Sequence, residues 1–395
     1  MSAQVILPRV MHVGAGASQK AGEVLAQLGC SSPLIVTDRM MVELGYVQGV
    51  QAALAAAGIV SEVFDQTVPE PTDASIVAGV ERVRRGSYDA IIALGGGSPI
   101  DSAKAIAILG KHGGVIRDYR FPRQVDAPGL PIIAIPTTAG TGSECTRFTI
   151  ITDEANDEKL LCVGLGFMPI AALVDYSLTV SVPARTTADT GIDAMTHAME
   201  AYVSRKASAY SDSQAIAAMR LIGPNLRTVF HDGGHRPARE AMMLGSTLAG
   251  IAFSNASVAL VHGMSRPIGA FFHVPHGLSN AMLLPSVTAW SIPSAPARYA
   301  DCARFLGAAG PHDSDAVANA RLIDFLYAIN AELRVPTLEE FGAQGARFFE
   351  LLPTMAEQAL ASGSPGNNPR VPSAEEIVGL YKTLWAQPRH EARRA

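Results

Sequence analysis

Four short runs rich in β-branched and apolar residues recur through the first half of the chain: PLIVTD (33–38), IVSEVFD (59–65), AIIALGGG (90–97) and PIIAIPTT (131–138). Each ends in turn or polar residues, and alanine-rich helical stretches separate them. Strands that alternate with helices must be joined by crossovers, and crossovers build a parallel sheet with helices on both faces. After about Val182 the pattern changes to long helical stretches, among them 187–203, 208–230, 237–257 and 314–332, with no convincing strand. VPARTT (182–187) marks the change, so we expect an α/β domain over 1–182 and an all-helical domain over 183–395. SGSPGNNPRVPS (362–373) reads as a loop before a final helix, whose start has the capping-box spacing of Ser373 and Glu376. No internal repeat of solenoid period is present.

The chain has 395 residues, 48% hydrophobic and 17% charged, which fits a well-packed globule and excludes a disordered protein. The net charge of −5, with no dense Lys/Arg block before the tail QPRHEARRA, offers no footprint for nucleic acid or an anionic membrane. The tail itself reads as solvated. Cys30, Cys145, Cys162 and Cys302 are scattered, with neither a disulfide framework nor a thiolate zinc spacing, and fit a reducing cytoplasm. MSAQVILPRV lacks a basic segment followed by a long apolar run, so no signal peptide is expected. The stretch from Ala241 to Ser265 has no charged residue and is long enough to span a bilayer. Ser246, Thr247, Ser254, Asn255 and Ser257 interrupt it, and a buried core helix is the expectation.

The strongest nucleotide signal is AIIALGGGSPIDSAKAIAIL, an apolar strand that runs into Gly95, Gly96 and Gly97. Ser98 is expected to cap the following helix, with Pro99 at its first position and Asp101 at its third. Glycines let a pyrophosphate approach the backbone, and the helix start offers it unpaired N–H groups. Gly14 and Gly16 do not complete a GxGxxG motif and read as a turn. Asp38, at the carboxyl end of PLIVT, stands where an acid can accept from a ribose 2′-hydroxyl, which selects NAD over NADP; a plain helix cap accounts for it equally well. PTTAGTGSE (136–144) places Thr137, Thr138, Thr141 and Ser143 after a strand, where hydroxyls could line a dinucleotide cleft or form an ordinary turn.

A second constellation lies in the helical half. Asp193 and His197 in TGIDAMTHAMEAYVS are an i, i+4 pair, so a helix puts both on one face. Alone, such a pair is most often a local hydrogen bond. Its companions are His262, at the end of the uncharged stretch, and His276 in LVHGMSRPIGAFFHVPHG. A buried imidazole must be satisfied, and one carboxylate with three imidazoles suits Fe(II), Zn(II) or a related ion with a position left open for water or substrate.

Taken in order, GGGSPID, IPTTAGTGSE, TGIDAMTHAMEAYVS, AGIAFSNASVALVHGM and PHGLSNAMLLP closely resemble the hallmarks of the iron-containing (group III) alcohol dehydrogenase family over nearly the whole chain. The resemblance implies a Rossmann-like N-terminal dinucleotide-binding domain and an all-α C-terminal domain in the dehydroquinate synthase-like architecture, with the active site in the cleft between them. It implies metal ligands at Asp193, His197, His262 and His276. It implies cofactor residues at Asp38, Gly96, Gly97, Ser98, Asp101, Thr137, Thr138, Thr141 and Lys159, the last facing the cofactor ribose. The implied activity is NAD(H)-linked and metal-dependent, Fe(II) by the family name with Zn(II) equally able to fill the donor set, on a small alcohol or aldehyde, in a homodimer or higher homo-oligomer.

Two positions depart from the family pattern. Arg266 stands four residues after His262, where many members carry a further His, and His273 stands three before His276, where many carry a polar residue other than His. Arg266 cannot exchange a proton at working pH, but it would suit a carboxylate on the substrate, as in a hydroxy acid or its aldehyde. The alternative is a solvent-facing or locally paired arginine. His273 is a candidate proton relay or support for the ligands, or else a wall of the cleft. Rival readings are an elimination enzyme resembling dehydroquinate synthase, which would need a basic cluster; a metal-free maleylacetate-reductase-like enzyme, against which the intact ligand set stands; a metal hydrolase, which leaves the glycine loop unexplained; and an idle binding protein.

Overall fold

The structure, a computed structural model, describes residues 3–387. Residues 388–395, most of the tail read as solvated, lie outside it, as do residues 1 and 2. The chain divides into two compact units at the junction of Val182 and Pro183, one over Ile6–Val182 and one over Pro183–Ala395 that also takes in the N-terminal residues through Val5.

The first unit holds eight strands: β1 (Val10–Val13), β2 (Pro33–Val36), β3 (Glu62–Phe64), β4 (Ala90–Gly95), β5 (Ile132–Pro136), β6 (Phe148–Asp153), β7 (Glu158–Val163) and β8 (Ala171–Val174). Its helices are α1 (Ala21–Leu28), α2 (Arg39–Glu43), α3 (Tyr46–Ala56), α4 (Asp73–Arg85) and α5 (Gly97–His112). Six strands form one parallel sheet in the order β1-β8-β5-β4-β2-β3. Alternate residues feed two cores. Leu34, Val36, Ile91, Ala93, Ile132 and Ala134 pack on one face with residues of α4 and α5; Ile35, Ile92, Leu94, Ile133 and Ile135 pack on the other with residues of α1 and α3. Cover on both faces is why these strands read as continuous apolar runs. β6 and β7 pair separately as an antiparallel hairpin.

The four runs seen in the sequence are β2, β3, β4 and β5. The strands not anticipated are four to six residues long and carry weak signals: β1 is VMHV, β8 is AALV, and the hairpin strands have one face half-covered.

The second unit is helical throughout its described residues. It begins with α6 (Ala184–Val203), α7 (Ala209–His231), α8 (Arg236–Ala256), α9 (Leu260–Phe272) and α10 (His276–Ser291), and ends with a helix over Ala374–Trp385. That last helix starts with the expected box: Glu376 N donates to Ser373 Oγ and Ser373 N donates to the Glu376 carboxylate. The uncharged stretch becomes α8 and α9, which meet at 103°; among the described residues no single helix is long and apolar enough to cross a membrane. Most of its residues are buried in the unit, as a core helix requires.

Candidate metal centre and cofactor loop

Helical spacing gathers the metal-ligand candidates. Asp193 and His197 face the same way from α6, and His262 lies in the first turn of α9. His276 opens α10. The adjoining Gly277 lets α10 press on α6, since a Cβ there would lie 2.4 Å from the Asp189 carbonyl oxygen and 3.4 Å from the Asp193 Cβ. One ligand atom from each of the four residues lies within 4.8 Å of all the others. Asp193 Oδ1 is 3.4 Å from His262 Nε2 and 3.8 Å from the Nε2 atoms of His197 and His276. Metal–ligand bonds of about 2.0–2.2 Å in a tetrahedron separate ligand atoms by roughly 3.3–3.6 Å, so the spacing suits one ion. His276 is the least buried of the four, its side chain 23% exposed against 2–5% for the others, so the cluster is most open on its side.

The donor chemistry fits a cation as well as the spacing does. Asn280 Nδ2 donates to Asp193 Oδ1 at 2.7 Å and lies 3.1 and 3.2 Å from the Nε2 atoms of His262 and His276. An N–H group thus sits where several lone pairs converge, as they would on an ion. Burial pushes the Asp193 carboxyl up, but His197, His276 and His262 more than offset this and hold it well below the usual carboxylate range. Burial also opposes charge on His262, yet Glu200 on one side and Asp193 on the other raise it to about 9. A cation held by these residues would take the place of the proton on His262 Nε2 and leave that lone pair free to ligate.

Glu200, which sequence reading passed over, is the main support. It lies on the same face of α6, at i+7 from Asp193 and i+3 from His197. Its carboxylate accepts from His262 Nδ1 at 2.7 Å, from Ala259 N at 2.8 Å and from Val261 N at 2.6 Å. It therefore satisfies two N–H groups at the start of α9, where a negative charge is favoured, and fixes the His262 ring with Nε2 toward Asp193. Asn280 was also passed over, although it repeats from His276 the i, i+4 step that joins Asp193 to His197. Phe253 stacks on His197 with ring centroids 4.2 Å apart.

The two departures from the family pattern lie differently. Arg266 is buried, with 6% of its surface exposed, and Nη1 donates to Ser364 Oγ at 3.1 Å. Neither a solvent-facing nor an acid-paired arginine describes it. Burial presses it down to about 10, with Glu200 pulling the other way, and it stays charged at neutral pH. His273 is exposed, in a left-handed conformation (φ 54°) that closes α9.

The cofactor candidates collect at the carboxyl ends of β2, β4 and β5, where a doubly wound sheet binds nucleotides. Gly95 ends β4 with Gly96 and Gly97 after it, and Asp38 follows the neighbouring strand β2. Thr137, buried after β5, donates its N–H to the Gly95 carbonyl at 3.0 Å. Thr138 and Thr141 lie against the turn: a Cβ at Gly96 would be 3.3 Å from Thr138, and one at Gly97 would be 2.7 Å from Thr141 Cγ2. The helix expected to start from a Ser98 cap starts two residues earlier, with Gly96 in the cap position and Gly97 as the first residue of α5. Ser98 Oγ instead accepts from Glu70 N at 3.2 Å, which ties the loop after β3 to the turn. Asp38 does cap α2, accepting from Met41 N at 3.1 Å through Oδ1.

Asp101 turns both oxygens inward, one to Ser143 Oγ at 2.6 Å and the other to Ile150 N at 2.9 Å. Beside it the fully buried Lys104 donates to Ser143 Oγ, Thr146 O, Thr146 Oγ1 and Phe148 O at 2.7–3.0 Å. These two side chains hold the threonine loop against α5. Lys159 forms an ion pair with Glu70, so both reach the same loop edge.

Comparison with known proteins gives one answer over both units. The iron-containing alcohol dehydrogenase family matches residues 8–176, and the C-terminal part of the Fe-containing alcohol dehydrogenase family matches residues 187–385. The chain is 36% identical over 388 residues to the lactaldehyde reductase of Escherichia coli (strain K12), covering 98% of this chain and 100% of that protein. It is 35% identical over 377 residues to the NAD-dependent methanol dehydrogenase of Bacillus methanolicus, covering 95% and 98%. A crystal structure of 1,3-propanediol oxidoreductase superposes with a TM-score of 0.92 at 34% identity, covering 97% of this chain and 100% of that one.

Proposed function

The chain belongs to the iron-containing alcohol dehydrogenase family, and from that premise we propose that it is a metal-dependent, NAD(H)-linked alcohol dehydrogenase and aldehyde reductase. The observation that carries the reading is the convergence of one carboxylate oxygen and three imidazole nitrogens within 4.8 Å. At such a donor set the chemistry supplied by a bound divalent cation is Lewis-acid polarisation of a hydroxyl or carbonyl oxygen, and a nicotinamide supplies the hydride acceptor or donor. Asp193, His197, His262 and His276 are assigned as ligands. The set accepts Fe(II) or Zn(II), and the family's description favours Fe(II).

The remaining work falls to the chain's own groups. Glu200 fixes the His262 tautomer, and Asn280 holds the Asp193 carboxylate in place. His273, an exposed imidazole three residues before His276, is assigned to proton exchange with solvent. Gly96, Gly97 and Ser98 are assigned to the cofactor pyrophosphate at the start of α5. Thr137, Thr138 and Thr141 line the same edge, and Asp101 braces them. Asp38 keeps one oxygen outside its cap bond and is assigned to the ribose hydroxyls, a preference for NAD over NADP. Lys159, paired with Glu70, is assigned to the cofactor ribose as the family resemblance implies. We extend the proposal to a homodimer or higher homo-oligomer in a reducing cytoplasm, with which four buried free cysteines agree.

The test is NAD(H) and NADP(H) turnover across alcohols, hydroxy acids and aldehydes, on protein stripped of metal and reloaded with Fe(II) or Zn(II). Turnover restored by a divalent ion and faster with NAD is the expected result. Equal turnover by stripped and reloaded protein would overturn the reading.

A further inference from the structure

Arg266 lies one helical turn beyond His262 on α9, so the two side chains leave the same face of that helix. It is more than nine-tenths buried. A guanidinium carries five N–H donors and a charge it cannot shed, and a protein that buries one normally gives it a carboxylate and several acceptors. This one has little of either. Nη1 reaches Ser364 Oγ, Nε is enclosed without a hydrogen-bond partner, and no carboxylate among the described residues forms an ion pair with it. Glu200 is the acid that acts on Arg266 by charge, but both its oxygens are taken by Ala259 N, Val261 N and His262 Nδ1.

The charges of the site point the same way. Asp193 and Glu200 bring two buried negative charges, which a divalent cation cancels while the ligating imidazoles stay neutral. Arg266 then leaves one buried positive charge without a counterion. A single guanidinium with one hydroxyl beside it matches a monoanion, since its fork fits the two oxygens of a carboxylate.

We propose that Arg266, with Ser364, binds a carboxylate on the substrate, so that the site handles hydroxy acids and their aldehydes in preference to plain alkanols. The proposal rests on the oxidoreductase reading above and specifies its substrate class. Arg266 takes no part in the redox step. It holds the far end of the substrate while the hydroxyl-bearing carbon stands at the ligand set.

The experiment uses the metal-loaded protein with NAD and compares ω-hydroxy acids from glycolate to 5-hydroxyvalerate, each against the primary alkanol of matching length. For the best pair, the hydroxy acid is expected to lead in kcat/KM by about tenfold or more, as when a site built to bond a polar group rejects the analogue lacking it. Arg266→Gln should shrink that ratio by about tenfold, chiefly through KM, and Arg266→Lys should restore part of it. A second readout needs no turnover: saturation-transfer NMR on the Zn(II)-loaded protein should detect bound butyrate with the native chain and lose it with Arg266→Gln. Preference for alkanols, a ratio unmoved by Arg266→Gln, or no butyrate signal from the native chain would overturn the proposal and leave Arg266 as the counter-charge of Glu200. Absence of turnover with every compound would overturn the oxidoreductase reading itself, and this proposal with it.

Discussion

Replacing Glu200 by Gln keeps the shape of the side chain and removes one acceptor and the charge. In the native chain Oε2 accepts from Ala259 N and His262 Nδ1, while Oε1 accepts from Val261 N. A carboxamide has one oxygen, so whichever way it turns, at least one of those N–H groups faces an NH2 in a buried site. An orphaned buried donor costs about 1–3 kcal/mol, which should appear as lost stability of the helical unit. The His262 ring also loses the partner that fixes its orientation and makes Nε2 a better donor. Loss of such a supporting partner lowers metal affinity by about 10–100-fold, which corresponds to about 1.4–2.7 kcal/mol. The assay is competition for Zn(II) against a chromophoric chelator, with circular dichroism to verify the fold and NADH binding as a control on the other unit. Affinity within about twofold of the native chain, well below the expected range, would refute the reasoning and reduce Glu200 to a cap on α9.

Gly97→Ala places a Cβ 2.7 Å from Thr141 Cγ2 and should weaken NADH binding by fluorescence titration while metal content stays the same; unchanged affinity would count against a cofactor at this turn. Burial presses Lys104 from 10.5 down to about 8, against the pull of Asp101 and Glu144. Because the unfolded chain holds this proton up to a higher pH, the unfolding free energy gains from this group as pH rises from about 8 to 10.5. The thermal midpoint of the native chain should therefore gain on that of Lys104→Met over this interval, and a constant difference would mean that Lys104 keeps its ordinary titration.

The parallel sheet was legible because its inner strands are covered on both faces and so read as unbroken apolar runs, as PLIV and AIIALG do. The edge and hairpin strands were not, since VMHV and AALV carry little β signal and gain their place from neighbours distant in sequence. The four metal-ligand candidates could be picked out by residue type and helical step, but nothing in the spacing of Glu200 distinguishes a ligand support from a buried ion-pair acid until α9 is seen to start on it. Ser98 was misjudged for a related reason. Serine before proline is a strong local cap signal, yet here the glycines carry the turn into the helix and Ser98 is claimed by the backbone of Glu70, 28 residues away in sequence. Asp101 likewise looks like a first-turn acid free for a ligand, and its partners Ser143 and Ile150 emerge only once the β5–β6 loop folds over α5.

The most direct test of the metal centre is the metal content of His262→Ala, measured by elemental analysis after loading with Fe(II) or Zn(II), together with NAD(H) affinity and turnover. The account predicts loss of most of the bound metal and of the metal-dependent turnover, with nucleotide binding retained. A variant that keeps both its metal and its turnover would contradict the assignment of Asp193, His197, His262 and His276 as one site.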